Sequence, residues 1–142
     1  MLLLIRRICL VAAIIWAVVI FILSAIPGDA FPPRPSFTNV LAHGAAYALL
    51  GALVFGALHR PRPQAGAKVT VLTLLAAIGL ASLYGVTDEL HQILTPGRVA
   101  DPWDWLTDTV GATLGGLAAW WLLSRWPVRR RRRRPTPTTP HN

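Results

Sequence analysis

Several ingredients are scarce in this 142-residue chain, and each scarcity narrows what it can be. A single cysteine, Cys9, excludes an intramolecular disulfide. Only 14% of the residues are charged, and six acidic residues stand against 14 basic ones. No Ser-His-Asp order, phosphate-cradling glycine loop or paired Cys/His metal spacing occurs, so no motif of these kinds fixes a reaction.

What the chain has in abundance is apolar sequence, 54% of the residues with a mean hydropathy of +0.49. It is collected into four long, almost uncharged blocks: Ile8 to Ile26, Val40 to Leu58, Val69 to Thr87, and Leu106 to Ser124. Each block would cover about 28 Å as a helix, close to the hydrocarbon thickness of a bilayer. The fold expected is therefore all-α, a bundle of four transmembrane helices. Residues 1–126 form its single domain, and 127–142 a basic, Pro/Thr-rich disordered tail. A cleaved signal peptide is the alternative for the first block, with Arg6 and Arg7 before it and Gly28-Asp29-Ala30 after it. The block is longer than the usual h-region of about 7–15 residues, and three further spans follow, which favours a retained helix.

Basic residues set the expected orientation. The N-terminus (Arg6, Arg7), the middle loop (Arg60, Arg62, Lys68) and the tail (Arg125, Arg129 to Arg134) hold 12 of the 14, leaving only Arg34 and Arg98 on the other side. Both termini should then be cytoplasmic, with the membrane crossed several times. All six acids, Asp29, Asp88, Glu89, Asp101, Asp104 and Asp108, fall on the outward side. Trp103 and Trp105 open the fourth block and Trp120, Trp121 and Trp126 close it, in the manner of paired interfacial anchors. The run Arg129 to Arg134 is expected to meet anionic inner-leaflet lipids, not nucleic acid, because it directly follows a span.

Candidate site residues concentrate between Tyr84 and Asp108, which contains five of the six acids. Helix two contributes His43 and Tyr47, one turn apart. A histidine just inside the membrane boundary is a site candidate, and a neutral imidazole satisfied by a neighbour is the alternative. Helix three ends in Tyr84, Asp88, Glu89, His91 and Gln92 on two adjoining stripes that can converge on a pocket. Pro96-Gly97 breaks the helix, and Arg98 follows, suited to a carboxylate or a phosphate. Asp101-Pro102 reads as an N-cap followed by proline at the first helical position. Asp104 and Asp108 come next at i and i+4. Gly111, Ala112, Gly115, Gly116 and Ala119 form a small-residue ridge for close helix packing, with homodimerisation the weaker alternative. His59 is expected to be a solvated loop residue.

The combination Thr87-Asp88-Glu89-Leu90-His91-Gln92, Pro96-Gly97-Arg98, then Asp101 and Asp104 or Asp108 ahead of Gly111 and Gly115, resembles the VanZ-like family of small bacterial membrane proteins. His43 with Tyr47 resembles that family's other motif. The chain departs from it in carrying Asn39 and Val40 where many members have an Asp-Lys pair. The resemblance implies an association with teicoplanin-type glycopeptide resistance, without naming a reaction.

Two functional readings remain open. In one, an outward polar pocket engages a cell-envelope component, such as a precursor or a glycopeptide-related ligand. In the other, the chain is a membrane-embedded hydrolase or transferase acting on a lipid-linked or phosphate-bearing substrate. The catalytic candidates are His43, Asp88, Glu89, His91 and Asp108, and the substrate-binding candidates are Tyr47, Gln92, Arg98, Asp101 and Asp104. Membrane lipids are expected partners. No metal or cofactor is expected, since Asp88-x-x-His91 offers a single ligand pair, with His43 an unproven third.

Overall fold

The computed structural model describes residues 2–30, 36–60 and 67–125. Each apolar block is the centre of an α-helix: α1 (Leu2–Ser24), α2 (Ser36–Leu58), α3 (Ala67–Gln92) and α4 (Pro102–Ser124). All four helices begin before their apolar blocks and α3 also runs past the end of its block, because polar residues at a helix end keep the backbone ladder intact, while α1 stops at Ser24, short of Ile26. Thus α2 begins before Asn39 and α3 continues through Gln92. No strand occurs among the described residues. Trp126 and the tail at 127–142, with its arginine run, lie outside them.

Three of the four helices are long and apolar enough to cross a membrane, over Leu3–Ser24, Phe37–Leu58 and Thr70–Gln92. Helix α4 has 23 residues, the same length as α1 and α2, but Asp104, Asp108 and its glycines and threonines make it less apolar. Its start is set as the sequence predicts. Asp101 is the N-cap, Pro102 occupies the first turn, and the Asp101 carboxylate accepts the Trp103 N–H at 2.9 Å.

Helix α2 touches the other three helices, and its seam with α4 is the most extensive. The two run parallel, so that Gly44, Ala48 and Gly51 on α2 meet Gly111, Gly115 and Ala112 on α4. A Cβ on Gly115 would fall on the Ala48 carbonyl, one on Gly111 on the Gly44 carbonyl, and one on Gly51 on the Ala112 carbonyl. The small-residue ridge therefore serves packing inside the bundle, where dispersion between close backbones replaces the hydrophobic drive that lipid does not supply. Two apolar clusters complete the core. One joins Ile20, Tyr47, Leu50, Ala81 and Ala112, and the other joins Phe55, Leu74 and Ala77.

The ends of the bundle differ in charge. One end holds the starts of α1 and α3 and the ends of α2 and α4. There Arg6 Nε donates to the Ala57 carbonyl at 3.0 Å, and Arg125 lies over the Trp121 ring at 3.8 Å. His59 is half-buried and stacks on Phe55 with ring centroids 5.2 Å apart, so it is not the solvated loop residue expected. Burial holds its pKa below the usual histidine value. The opposite end carries every acid of the chain.

Candidate functional site

At the acidic end, the parallel run of α2 and α4 matches two pairs of residues turn for turn. Asn39 meets Asp104 and His43 meets Asp108, each partner one helical turn along from the last. His43 Nδ1 lies 3.0 Å from Asp108 Oδ1, an imidazole nitrogen against a carboxylate oxygen, and His43 Nε2 lies 3.8 Å from Asp104 Oδ2. The Asn39 amide donates to both Asp104 oxygens, at 3.0 and 2.9 Å. An aspartate at position 39 would bring two carboxylates face to face, so asparagine suits this arrangement.

Helix α3 adds the next layer. Glu89 Oε2 accepts the Asp101 backbone N–H at 2.7 Å, which ties the end of α3 to the start of α4. Gln92, one turn beyond Asp88, donates to Asp88 Oδ2 at 3.3 Å. Among the described residues, four buried side-chain polar atoms then make no hydrogen bond: Tyr47 Oη, Asp88 Oδ1, Glu89 Oε1 and Asp108 Oδ2. The residues that carry them are 1%, 4%, 7% and 0% exposed. Gly85 backs the cluster, since a Cβ there would stand 3.2 Å from Asp108 Oδ2 and 3.4 Å from both the Tyr47 ring and the Trp105 indole.

Other residues singled out in the sequence go elsewhere. His91 turns to α1, stacking on Phe21 at 4.2 Å between centroids, with Nδ1 3.4 Å from Ser24 Oγ. Arg98 also reaches α1, donating to the Ile26 carbonyl at 3.2 Å and the Leu23 carbonyl at 3.3 Å. A cation at those carbonyls caps the negative end of a helix dipole. The turn before Arg98 is locked onto the short 3-10 turn Gly28–Ala30 that follows α1: Gly28 N–H donates to the Pro96 carbonyl at 3.0 Å, and Gly97 has a φ of +70°, which favours glycine. Asp101 is exposed at its cap. The cluster is thus His43 and Tyr47 from α2, Asp88, Glu89 and Gln92 from α3, and Asp104 and Asp108 from α4.

Three residues were not among the site candidates: Asn39, Gly85 and Ser24. Asn39 sits one turn before His43, a spacing visible in the sequence. Nothing local marks Gly85 or Ser24.

Chemically, an imidazole flanked by two carboxylates can hold a cation or exchange a proton. A ring nitrogen of His43, an oxygen of Glu89 and an oxygen of Asp108 lie within 4.8 Å of one another, which makes them the metal-capable group among the described residues.

Apolar helices of membrane-crossing length around a buried carboxylate–imidazole cluster define a class, the small helical membrane protein with a polar site at one end. The chain matches the VanZ/LLP1 family over residues 9–123 and belongs to that family. No curated protein and no solved structure matches it.

Proposed function

We propose that the chain crosses the bacterial cytoplasmic membrane four times with both termini inside, and that its acidic end faces outward and engages a cell-envelope component. The observation that carries this reading is the set of four buried polar atoms without a hydrogen bond, on Tyr47, Asp88, Glu89 and Asp108. Each such atom costs about 1–3 kcal/mol against a satisfied one. A ligand that fills these bonds accounts for side chains that stability alone would disfavour. The basic residues of the opposite end support the orientation.

The test is binding by the protein in lipid nanodiscs, with a lipid-linked peptidoglycan precursor and teicoplanin as probes. Saturable binding of either, lost in Glu89→Gln and Asp108→Asn, is expected; equal binding by both variants would overturn the reading. Orientation is tested with Val99→Cys in a Cys9→Ser background, since Val99 is 83% exposed. An impermeant thiol reagent should label it in intact cells, and labelling only after lysis would refute the topology.

The position of His43 favours a second reading. An imidazole held 3.0 Å from one carboxylate and 3.8 Å from another is poised for proton transfer. In this reading the protein hydrolyses or transfers a lipid-linked phosphate group. Turnover of the precursor that vanishes in His43→Gln with binding retained would establish it over the binding-only reading.

A further inference from the structure

We propose that His43, Glu89 and Asp108 form the protein side of a divalent-cation site, held between α2, α3 and α4. The inference rests on reading the acidic end as a ligand site, and it names what the three side chains themselves would bind.

The geometry is close to what coordination needs. Metal–ligand bonds of about 2.0–2.2 Å keep any two ligands of one ion within about 4.4 Å of each other. The three donor atoms already lie within 4.8 Å of one another, on three separate helices. Their approach comes from the fold, because residues 43, 89 and 108 share no local spacing. Two of the three carry a second sign of a ligand. Asp108 is 0% exposed and Glu89 7%, and Asp108 Oδ2 and Glu89 Oε1 each make no hydrogen bond.

Charge leads to the same place. Buried carboxylates are tolerated when they are paired or coordinate a metal. Here one imidazole stands among Asp88, Glu89, Asp104 and Asp108; as a metal ligand it is neutral and offsets none of them, whereas a doubly charged ion offsets two. The supporting contacts are of the kind that orients ligands. The Asp101 N–H fixes one Glu89 oxygen and leaves the other for an ion, and Asp104, itself held by Asn39, flanks the His43 ring. One nitrogen and two carboxylate oxygens without a thiolate suit Zn²⁺ or Mn²⁺; Ca²⁺ and Mg²⁺ prefer oxygen alone.

The experiment uses the full chain in detergent, stripped with chelator and then offered Zn²⁺ or Mn²⁺. Bound metal is measured by elemental analysis after desalting, and Mn²⁺ also by its electron paramagnetic resonance signal. The expected result is about one equivalent per chain, with affinity at least about tenfold weaker in Glu89→Gln and Asp108→Asn. Asp29→Asn, an exposed acid outside the cluster, should bind as the wild type does. In case a variant fails to fold, thermal unfolding of the wild type should shift upward and saturably with added cation.

The proposal is overturned if the folded wild type takes up neither cation at millimolar concentration, or if Asp29→Asn weakens binding as much as Glu89→Gln. Failure of the two readings is distinguishable. A wild type that binds the envelope probes after stripping but takes up no cation removes the cation site alone. A wild type that binds cation but no envelope probe removes the envelope ligand alone.

Discussion

Arg6 and Arg125 at one end of the bundle and Glu89 and Asp108 at the other are all ionisable groups on apolar helices, yet they are treated differently. Arg6 closes the end of α2 through the Ala57 carbonyl, and Arg125 lies over Trp121. Both have a use within the scaffold. Glu89 and Asp108 are drawn inside, and each keeps an oxygen that makes no hydrogen bond. Charge at the basic end serves helix termination and interfacial anchoring. The arrangement at the acidic end is one that a scaffold alone would be more stable without.

Substitutions can break or sharpen this contrast. The largest effect should come from the seam both ends share. Gly115→Leu places side-chain atoms on the Ala48 carbonyl, beyond what rotamer changes can absorb. It should cost at least the ~1–3 kcal/mol of ordinary overpacking and abolish monodisperse protein in size-exclusion chromatography. A Gly115→Leu variant of wild-type stability would mean that α2 and α4 are not in contact.

Next comes Arg98→Ala, which removes the bonds to the Ile26 and Leu23 carbonyls. A loss of about 1–2 kcal/mol in thermal unfolding is expected, along with faster proteolysis near residues 25–30. No loss would show that these two bonds do not hold the turn to the end of α1.

At the basic end the effects should be small. His59 has its pKa lowered by burial, so the unfolded chain binds its proton more readily than the folded one does. Stability should therefore fall as pH drops below the ordinary value of 6.5 and level off once the folded form also titrates. His59→Gln should flatten that slope, as read from unfolding midpoints across the pH range. Smallest of all, Arg125→Ala should change stability by no more than ~0.5–1 kcal/mol, the worth of an exposed cation–π contact.

Much of the scaffold is legible in the sequence, because an apolar run of membrane length has few alternatives to helix. The start of α4 is legible too, since Asp101-Pro102 is a cap with its own local chemistry. The Gly111-x-x-x-Gly115 spacing announces a close partner, but not that the partner is the parallel face of α2 around Ala48. That choice is made by the tertiary fold.

The site divides along the same line. Asp104 and Asp108, one turn apart, share a face, and His43 and Tyr47 do so on α2. His91 and Gln92 lie on either side of the stripe through Asp88, so spacing alone does not say which turns inward. Gln92 reaches back to Asp88, while Phe21 and Ser24 of α1 claim His91. Arg98 stands out as an isolated cation, but the carbonyls it reaches, at the end of α1 and just beyond it, lie 75 and 72 residues earlier in the chain.

Asp108→Asn tests the central claim most directly, with unfolding in chelator and envelope-probe binding measured on the same preparation. The amide keeps an acceptor for His43 and removes the buried acid. Because Asp108 Oδ2 makes no hydrogen bond in the scaffold, the account predicts an unfolding midpoint equal to or above that of the wild type, with probe binding weakened at least about tenfold by the loss of a charged hydrogen-bond partner. A midpoint well below the wild type's with binding intact would mean that Asp108 belongs to the scaffold, and would contradict the account.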